Sequence, residues 1–510
     1  MIKNKKFNSC IFILLLIFIL AIALRIYRLG SKTLETDEIS GVYISKVNVG
    51  EIFRRNLNPH LADITVEEPP LPYMLAHFAL ELKDNDFMAR LASAILGSFT
   101  ILVLYFLVKT LLDRGTALWA SFLLSISLYH ISYSQLFRGY SGLTLFSLLS
   151  LCFLWKLMHD AKLGYWVGFI FANSLGLYFH YIMLQIIVIE TSIFLIGVYL
   201  IRDSIEVKAY IKKYLICLLI IFLTSCPLLP NILSTIFSRI GSRLGDESQI
   251  KFEFNINYFR NLLCRYGAGN GLAFYIYNSL FFYGIVSLFR RQRMVFLLIA
   301  FWIAFPFLLL AHTGYKYFFH IRYFIYIFPM YLVIIAYGIT RLSNIIKKVS
   351  FYINTGLSSA IIVFVFIGLS CSALFLYYRM PARMTDWKET ANYIDKHCRD
   401  GLKVYVESSF SSRELKYYLD KIRPDIKLHT FNGQIDQFIQ ICSNNQDILF
   451  VNNSYLFDHL VQKYFNQRVI IGSSLSCKLG KRELIDWDNS WFPPANIKRY
   501  FLTLYYNENN

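Results

Sequence analysis

Negative charge is what this chain has least of. Among 510 residues there are 33 Asp and Glu against 51 Lys and Arg, and charged residues of both signs make up only 16%. Beside a hydrophobic fraction of 56%, that composition excludes an ordinary soluble globule. Nine cysteines are present, yet none falls in a metal-binding cluster. Cys152, Cys217, Cys226, Cys264 and Cys371 lie in or near apolar runs and read as small buried residues. Cys398, Cys442 and Cys477 allow one disulfide at most. There is no internal repeat. The first apolar run lacks a small-residue cleavage site, so it is expected to remain as an anchor.

Apolar length is abundant. Runs of about 17 to 25 residues, enough to cross hydrocarbon, recur from residue 8 to residue 377. They read as roughly eleven spans near 8–24, 88–108, 115–129, 140–157, 164–179, 181–201, 214–230, 273–289, 294–311, 323–340 and 352–377. A net charge of +18 invites a nucleic-acid reading, and its placement excludes one. From residue 379 on, 18 Lys and Arg face 15 Asp and Glu, a net of +3, which leaves +15 in the membrane part. Much of that gathers in every second connection, as in Lys109 and Arg114, Arg202 to Lys213, and Arg341 to Lys348. Basic loops stay in the cytoplasm. The N-terminus is therefore expected inside, and everything after residue 378 outside. The expected organisation is a membrane domain over 1–378, with an outer loop over 25–86, and a soluble domain over 379–510.

Ten of the 18 acidic residues before position 379 fall in that outer loop. Glu35, Asp37 and Glu38 open it in "LGSKTLETDEISGVY", and Glu67 and Glu68 stand before Pro69 and Pro70 in "VEEPPLPYMLAHFAL". A loop of this length is too long for a mere connector. Its apolar residues recur at helical spacing, which predicts one or two amphipathic helices along the interface. The two prolines stop any helix from upstream and start an apolar one carrying His77. Two readings stand: a solvated acidic loop, or two carboxylate clusters converging on one pocket.

Other polar groups collect at outer span ends. "YHISYSQLFRGY" carries Arg138 and Tyr140 where the chain turns back into the membrane. Arg138 either snorkels to headgroups or holds a phosphate with its fork of donors. "LYFHY" carries His180 and Tyr181, and "YKYFFHIRYF" carries Lys316, His320, Arg322 and Tyr323. Each of these is an interfacial aromatic belt or part of a site. Glu190, inside the sixth span, is either functional or protonated and bonded to a neighbouring span.

After residue 379, strand patterns ("LKVYVE", "DILFVNN", "RVIIGSS") alternate with helical ones ("SSRELKYYLD", "YLFDHLVQKY"). That pattern predicts a small α/β domain. It has no glycine-rich phosphate loop, so a nucleotide site is not expected. A lid or scaffold over the membrane site is the plainer role, and acceptor recognition the alternative.

Several stretches together resemble the polyprenyl-phosphate-dependent glycosyltransferases of the GT-C fold. That group holds the protein O-mannosyltransferase-like, aminoarabinose transferase-like and lipopolysaccharide-core RgtA/B/C/D-like enzymes. "ALRIYRLGSKTLETDEISGVY" is similar to its opening span, "RLYRLG" and acidic pair. "EEPPLPYMLAHF" resembles its "EKPPL" or "HPPLYYLLLHF" segment, and "MARLASAILGSFTILVLY" its "ARLPSALLG" span. "YHISYSQLFRGY" resembles "HIYYSQEARMYA", "GLYFHY" resembles "LYTHYF", and "RYFIYIFPMYLVIIAYGI" and "DWKETANYI" match later segments in the same order. Two departures stand out. Leu136 replaces the Glu of "SQEARMY", and Glu68 stands where many relatives have His before Pro-Pro.

The resemblance implies transfer of a sugar from a polyprenyl phosphate to a hydroxyl acceptor, with inversion, on the outer face of a bacterial plasma membrane. It implies Asp37 as general base, with Glu38 beside it. Arg138 and Tyr140 are implied as the phosphate site, helped by Arg322 and Lys316, with His180 and Tyr181 as further candidates. Glu67 or Glu68 would bind the acceptor or complete a cation site with Asp37 and Glu38. Some relatives place a divalent ion there and others need none, and no His or Cys spacing here enforces one. The partners implied are a polyprenyl-phosphate-linked sugar and membrane lipid. The main rival is a transporter or flippase of a lipid-linked sugar, but broken spans at matching positions are absent. A sensor-type receptor comes third, because no cytoplasmic output domain is present. The sugar, the acceptor and the oligomeric state are not specified by the sequence.

Overall fold

A computed structural model of the chain describes residues 2–57, 68–160, 162–200, 207–234, 256–267, 269, 271–313, 321–349, 355–379, 387–397, 403–407, 409–431, 448–452, 482–485 and 499–506. These residues belong to two compact units. The first comprises Met1–Leu29 and Val42–Tyr377, the second Gly30–Gly41 and Tyr378–Asn510. The acidic stretch after the first span thus packs with the C-terminal part of the chain.

The first unit is helical. α1 (Ile2–Ile26) is followed by Arg28, whose φ of 53° turns the chain away from the helix axis. α2 (Thr36–Ser45) and α3 (Val49–Leu57) are the helices expected in the outer loop. α4 (Pro70–Leu82) starts at its proline, which needs no amide partner at a helix N-terminus. α5 (Asp86–Leu111), α6 (Arg114–Ile126), α7 (Leu128–Ser134), α8 (Tyr140–His159), α9 (Leu163–Phe179), α10 (Met183–Leu200) and α11 (Val207–Ser225) follow. α12 (Ile256–Tyr266), α13 (Leu272–Arg291), α14 (Arg293–Thr313), α15 (Phe328–Val349) and α16 (Thr355–Arg379) complete it. Every apolar run read as a span contains a helix. Seven described helices are long and apolar enough to cross a membrane, and α9, α10 and α14 are shorter apolar ones.

The third expected span, 115–129, is not continuous. It breaks at Ser127, whose hydroxyl accepts from the His130 N–H and caps α7. The carbonyls left over by the break are taken by Arg25. This fully buried guanidinium donates to Leu124 O at 3.1 Å and Ser125 O at 3.2 Å and lies 2.7 Å from His130 Nδ1. A buried arginine is tolerable in a bundle only when so engaged. α13 and α15 approach closely at glycines: a Cβ on Gly284 would sit 2.2 Å from Ile334 O. Small residues permit such contact where membrane helices cannot rely on water to drive association. Phe12, Phe171, Phe222 and Phe364 stay exposed, as a lipid-facing surface requires. Cys226 and Cys371 belong to that surface as well. The expectation that they are buried fails, because in lipid an apolar thiol loses nothing by facing outward.

In the second unit, α17 (Trp387–His397), β1 (Lys403–Glu407), α18 (Ser409–Leu419) and β2 (Leu428–Phe431) precede β3 (Ile448–Asn452), β4 (Arg482–Ile485) and β5 (Arg499–Tyr506). The strands form one sheet in the order β2-β1-β3-β5-β4, parallel among the first three and antiparallel beyond. β1, β3 and α18 lie where the sequence patterns put them, while β2, β4 and β5 were not anticipated. The segments "RVIIGSS" and "YLFDHLVQKY", and Cys398, Cys442 and Cys477, lie outside the described residues.

Candidate functional site

In the first unit the polar groups converge on the start of α8. α7 ends at Ser134, and the chain runs through Gln135 to Gly139 before α8 begins at Tyr140. Gln135 anchors that bend. Its amide nitrogen donates to Arg25 O and Tyr27 O, both at 2.9 Å, and its oxygen accepts from the Tyr377 hydroxyl at 2.9 Å. Arg138, three residues on, is buried, and its Nε lies 3.3 Å from Glu68 Oε1. The other Glu68 oxygen accepts the Gly139 N–H at 3.2 Å. Glu68 therefore orients the arginine and satisfies one of the amides that a helix start leaves over. Its own backbone carbonyl is held by Asn56 Nδ2 at 3.0 Å.

Only glycine fits at 139. A Cβ there would lie 2.0 Å from Phe179 O. That close approach brings the end of α9 beside the Arg138 turn. The Tyr140 ring consequently lies 5.4 Å from Tyr133 and 5.3 Å from His180, and His180 lies 6.3 Å from Tyr323. The Tyr140 hydroxyl is within electrostatic reach of Arg322, Tyr323, Arg138 and Glu68. The Arg322 turn is pinned by the Tyr129 hydroxyl on Ile321 O at 2.9 Å and the Tyr266 hydroxyl on Phe324 O at 2.7 Å. The Tyr181 hydroxyl faces the Asn56 amide and feels the Glu68 charge. Two arginines, a helix N-terminus and a cluster of phenols and imidazole suit an anionic headgroup.

The second unit holds the other acidic cluster. Glu35 O accepts the first intrahelical bond of α2, from the Ile39 N–H, and Glu38 Oε2 accepts the Glu35 N–H at 2.9 Å. Glu38 thus serves as the reciprocal half of a capping box and is fully buried. Asp37, next to it in the first helical turn, is half-buried. The two members of the acidic pair differ: one closes the helix start, the other has a face toward solvent.

Among the remaining expected site residues, Glu67, Lys316 and His320 lie outside the described residues. His77 Nδ1 lies 2.8 Å from Ser45 O, a link between α4 and the end of α2. Glu190 is fully buried and accepts from Ser150 on α8 at 2.5 Å, the bond to a neighbouring span expected as its plainer role. Glu38 and Glu68 each commit an oxygen to a backbone amide, and no three His, Cys, Asp or Glu side chains among the described residues gather at metal distance. Asn56, Gln135 and Arg25 were not anticipated from the sequence. Only the "YSQ" and "ALRIYRLG" stretches carried a signal for the last two.

The comparisons agree with this architecture. Residues 67–229 match the family described as dolichyl-phosphate-mannose-protein mannosyltransferase. The fold is also that of ArnT from Cupriavidus metallidurans bound to undecaprenyl phosphate, with a TM-score of 0.56 and 12% identity over 96% of this chain and 97% of that one. The archaeal oligosaccharyltransferase AglB from Archaeoglobus fulgidus, in complex with an inhibitory peptide and a dolichol-phosphate, is similar too. There the TM-score is 0.56 and the identity 11%, over 88% of this chain and 70% of that one. No curated protein matches the chain. The resemblance carried by the sequence motifs is borne out, and the chain is a multi-span membrane protein of GT-C architecture.

Proposed function

We propose that this protein is a membrane glycosyltransferase that moves a sugar from a polyprenyl phosphate to a hydroxyl of a cell-envelope glycan, lipid or protein, with inversion. The reaction takes place on the outer face of a bacterial plasma membrane, with the N-terminus cytoplasmic. In this reading residues 1–378 form the catalytic membrane domain and 379–510 an outer domain. Glycosyl transfer is supported by the mannosyltransferase-family match and by a fold common to two enzymes whose structures hold polyprenyl phosphates.

The observation that carries the reading is the Glu68–Arg138–Gly139 arrangement at the start of α8. A guanidinium pre-set by a carboxylate, at the positive end of a 20-residue helix, stabilises the charge that grows on a departing lipid phosphate. At 3.3 Å the Glu68 contact is looser than a tight charge-assisted bond. It aims the arginine, and a phosphate competes with it by presenting two oxygens to the guanidinium fork.

The remaining step is proton removal. The acceptor oxygen bonds to the sugar's anomeric carbon while its proton passes to Asp37. The bond from that carbon to the phosphate oxygen breaks, and its electron pair leaves with the lipid phosphate. Asp37 rather than Glu38 is the base, because Glu38 is buried in the helix cap. Asp37→Asn preserves size and removes basicity, so transfer falls by about 10²-fold or more, while Glu35→Gln has far less effect. The assay is mass spectrometry of surface glycans from a deletion strain complemented with each variant at matched protein level. Wild-type glycans from Asp37→Asn would end the assignment.

A further inference from the structure

The outer domain has so far been given no part in the chemistry, and one buried side chain in it has no role. Glu414, on α18, is 5% exposed. The Thr36 hydroxyl donates to its Oε1, and the Trp387 indole N–H at the start of α17 is a second donor. One helical turn further along α18, the Tyr418 hydroxyl accepts the Leu34 N–H at 2.7 Å. Two residues of α18 therefore hold the segment on both sides of Glu35, at the α2 helix start, and Trp387 of α17 holds Glu414 in turn. All of these residues belong to the second unit.

We propose that Glu414 is a positioning residue for transfer, fixing the Thr36–Asp37 turn so that the Asp37 carboxylate is presented at a constant angle. The inference rests on the reading of Asp37 as base. Its physical content is that Asp37 sits on the first turn of a short helix, preceded by a loop, where the backbone frays unless tied down. The capping box ties the turn to itself, whereas Glu414 ties it to a packed helix pair. Burial, and then the negative charges of Asp37 and Glu35, push the Glu414 carboxyl up to about 8, against the pull of Trp387 and Arg413. The shift favours the neutral form, which holds Thr36 with less negative charge set beside the base. A misplacement of about 1 Å in a reacting group costs up to ~10²-fold in rate, so the tie matters to turnover more than to folding.

The test uses the full-length protein in the complemented deletion strain, with the host's own surface glycan as probe. Protein level is followed by blot, and thermal unfolding in detergent is recorded for each variant. Glu414→Ala and Thr36→Val, which cut the same bond from opposite ends, each lower glycan modification by about tenfold or more. The double variant falls no further than the worse single one, because both remove one interaction. Glu414→Gln keeps an acceptor oxygen of the same reach and restores modification to within about twofold of wild type. Should Glu414→Ala fail to accumulate, Thr36→Val and Glu414→Gln still decide the matter. Wild-type modification in Thr36→Val overturns the proposal, as does a Glu414→Gln as defective as the alanine variant. Asp37→Asn runs in parallel. If it is inactive while Thr36→Val is normal, only the positioning role falls; if Asp37→Asn is active, the base assignment falls instead.

Discussion

At the scale of the residue, identical side chains take different roles because of what touches them. Glu38 and Asp37 are adjacent acids, and only the second is left with a solvent-facing side. Arg25 and Arg138 are both buried, yet Arg25 is spent on main-chain carbonyls while Arg138 meets a carboxylate. Arg138→Ala is expected to weaken the response to the lipid phosphate by about 10²-fold, the scale of losing one preorganised donor. Arg138→Lys recovers part of it, because a point charge lacks the fork. Glu68→Gln keeps an acceptor for the Gly139 amide and loses the charge on Arg138, so it falls between. Titration of the purified variants with undecaprenyl phosphate, read by thermal shift, checks the order. Glu414 supplies a stability prediction. Its folded value of about 8 lies above the ordinary 4.5, so its favourable contribution is complete below that lower value and is lost as pH rises toward 8. Wild type should therefore lose thermal stability relative to Glu414→Gln between about pH 5 and about pH 9. An unchanging difference between the two would contradict the buried-acid description.

Elements show where local pattern is enough and where it is not. The spans follow from hydropathy alone, since a run of that length has few other places to go. The α6–α7 break at Ser127 does not, because it is made tolerable by an arginine from α1, far away in sequence. The Arg138 turn likewise depends on α9: Gly139 has an ordinary φ of −67°, so its requirement for glycine arises only from the carbonyl of Phe179 above it. Gly139→Ala is expected to push α9 and the turn apart. Overpacking of this kind costs about 1–3 kcal/mol, with response to the lipid phosphate lost more completely than stability. A variant that melts near wild type and still binds undecaprenyl phosphate would show that α9 yields freely and does not hold the turn.

At the scale of the whole molecule, basic loops resist translocation, so the charge asymmetry between alternate connections is expected to set orientation. A reporter active only outside the cytoplasm should be active when fused after residue 400 and silent when fused near residue 205. The reverse pattern would put the carboxylates and Arg138 on the wrong side for an outer-face reaction. The division into two compact units adds a feature that charge does not reveal. Residues 30–41 are linked in the chain to the first span but pack with the C-terminal part. The acidic turn is held by helices that follow it by more than 300 positions, as in the Leu34–Tyr418 bond with its separation of 384.

The apolar runs and their order, the helices of the acidic loop and the helix started by Pro70 were determined by the sequence itself. Those properties come from hydropathy, charge and backbone restriction, each a local quantity that a window of residues carries alone. The stretches bearing Asp37, Glu68 and Arg138 stood out for the same reason. What the tertiary structure decided is which of these groups meet: Glu68 with Arg138 and the Gly139 amide, Gln135 with the ends of the first and last spans, Glu414 with Thr36. Partners separated by tens to hundreds of positions are chosen by which helices pack. The free energy of a buried polar group depends on that partner far more than on its sequence neighbours.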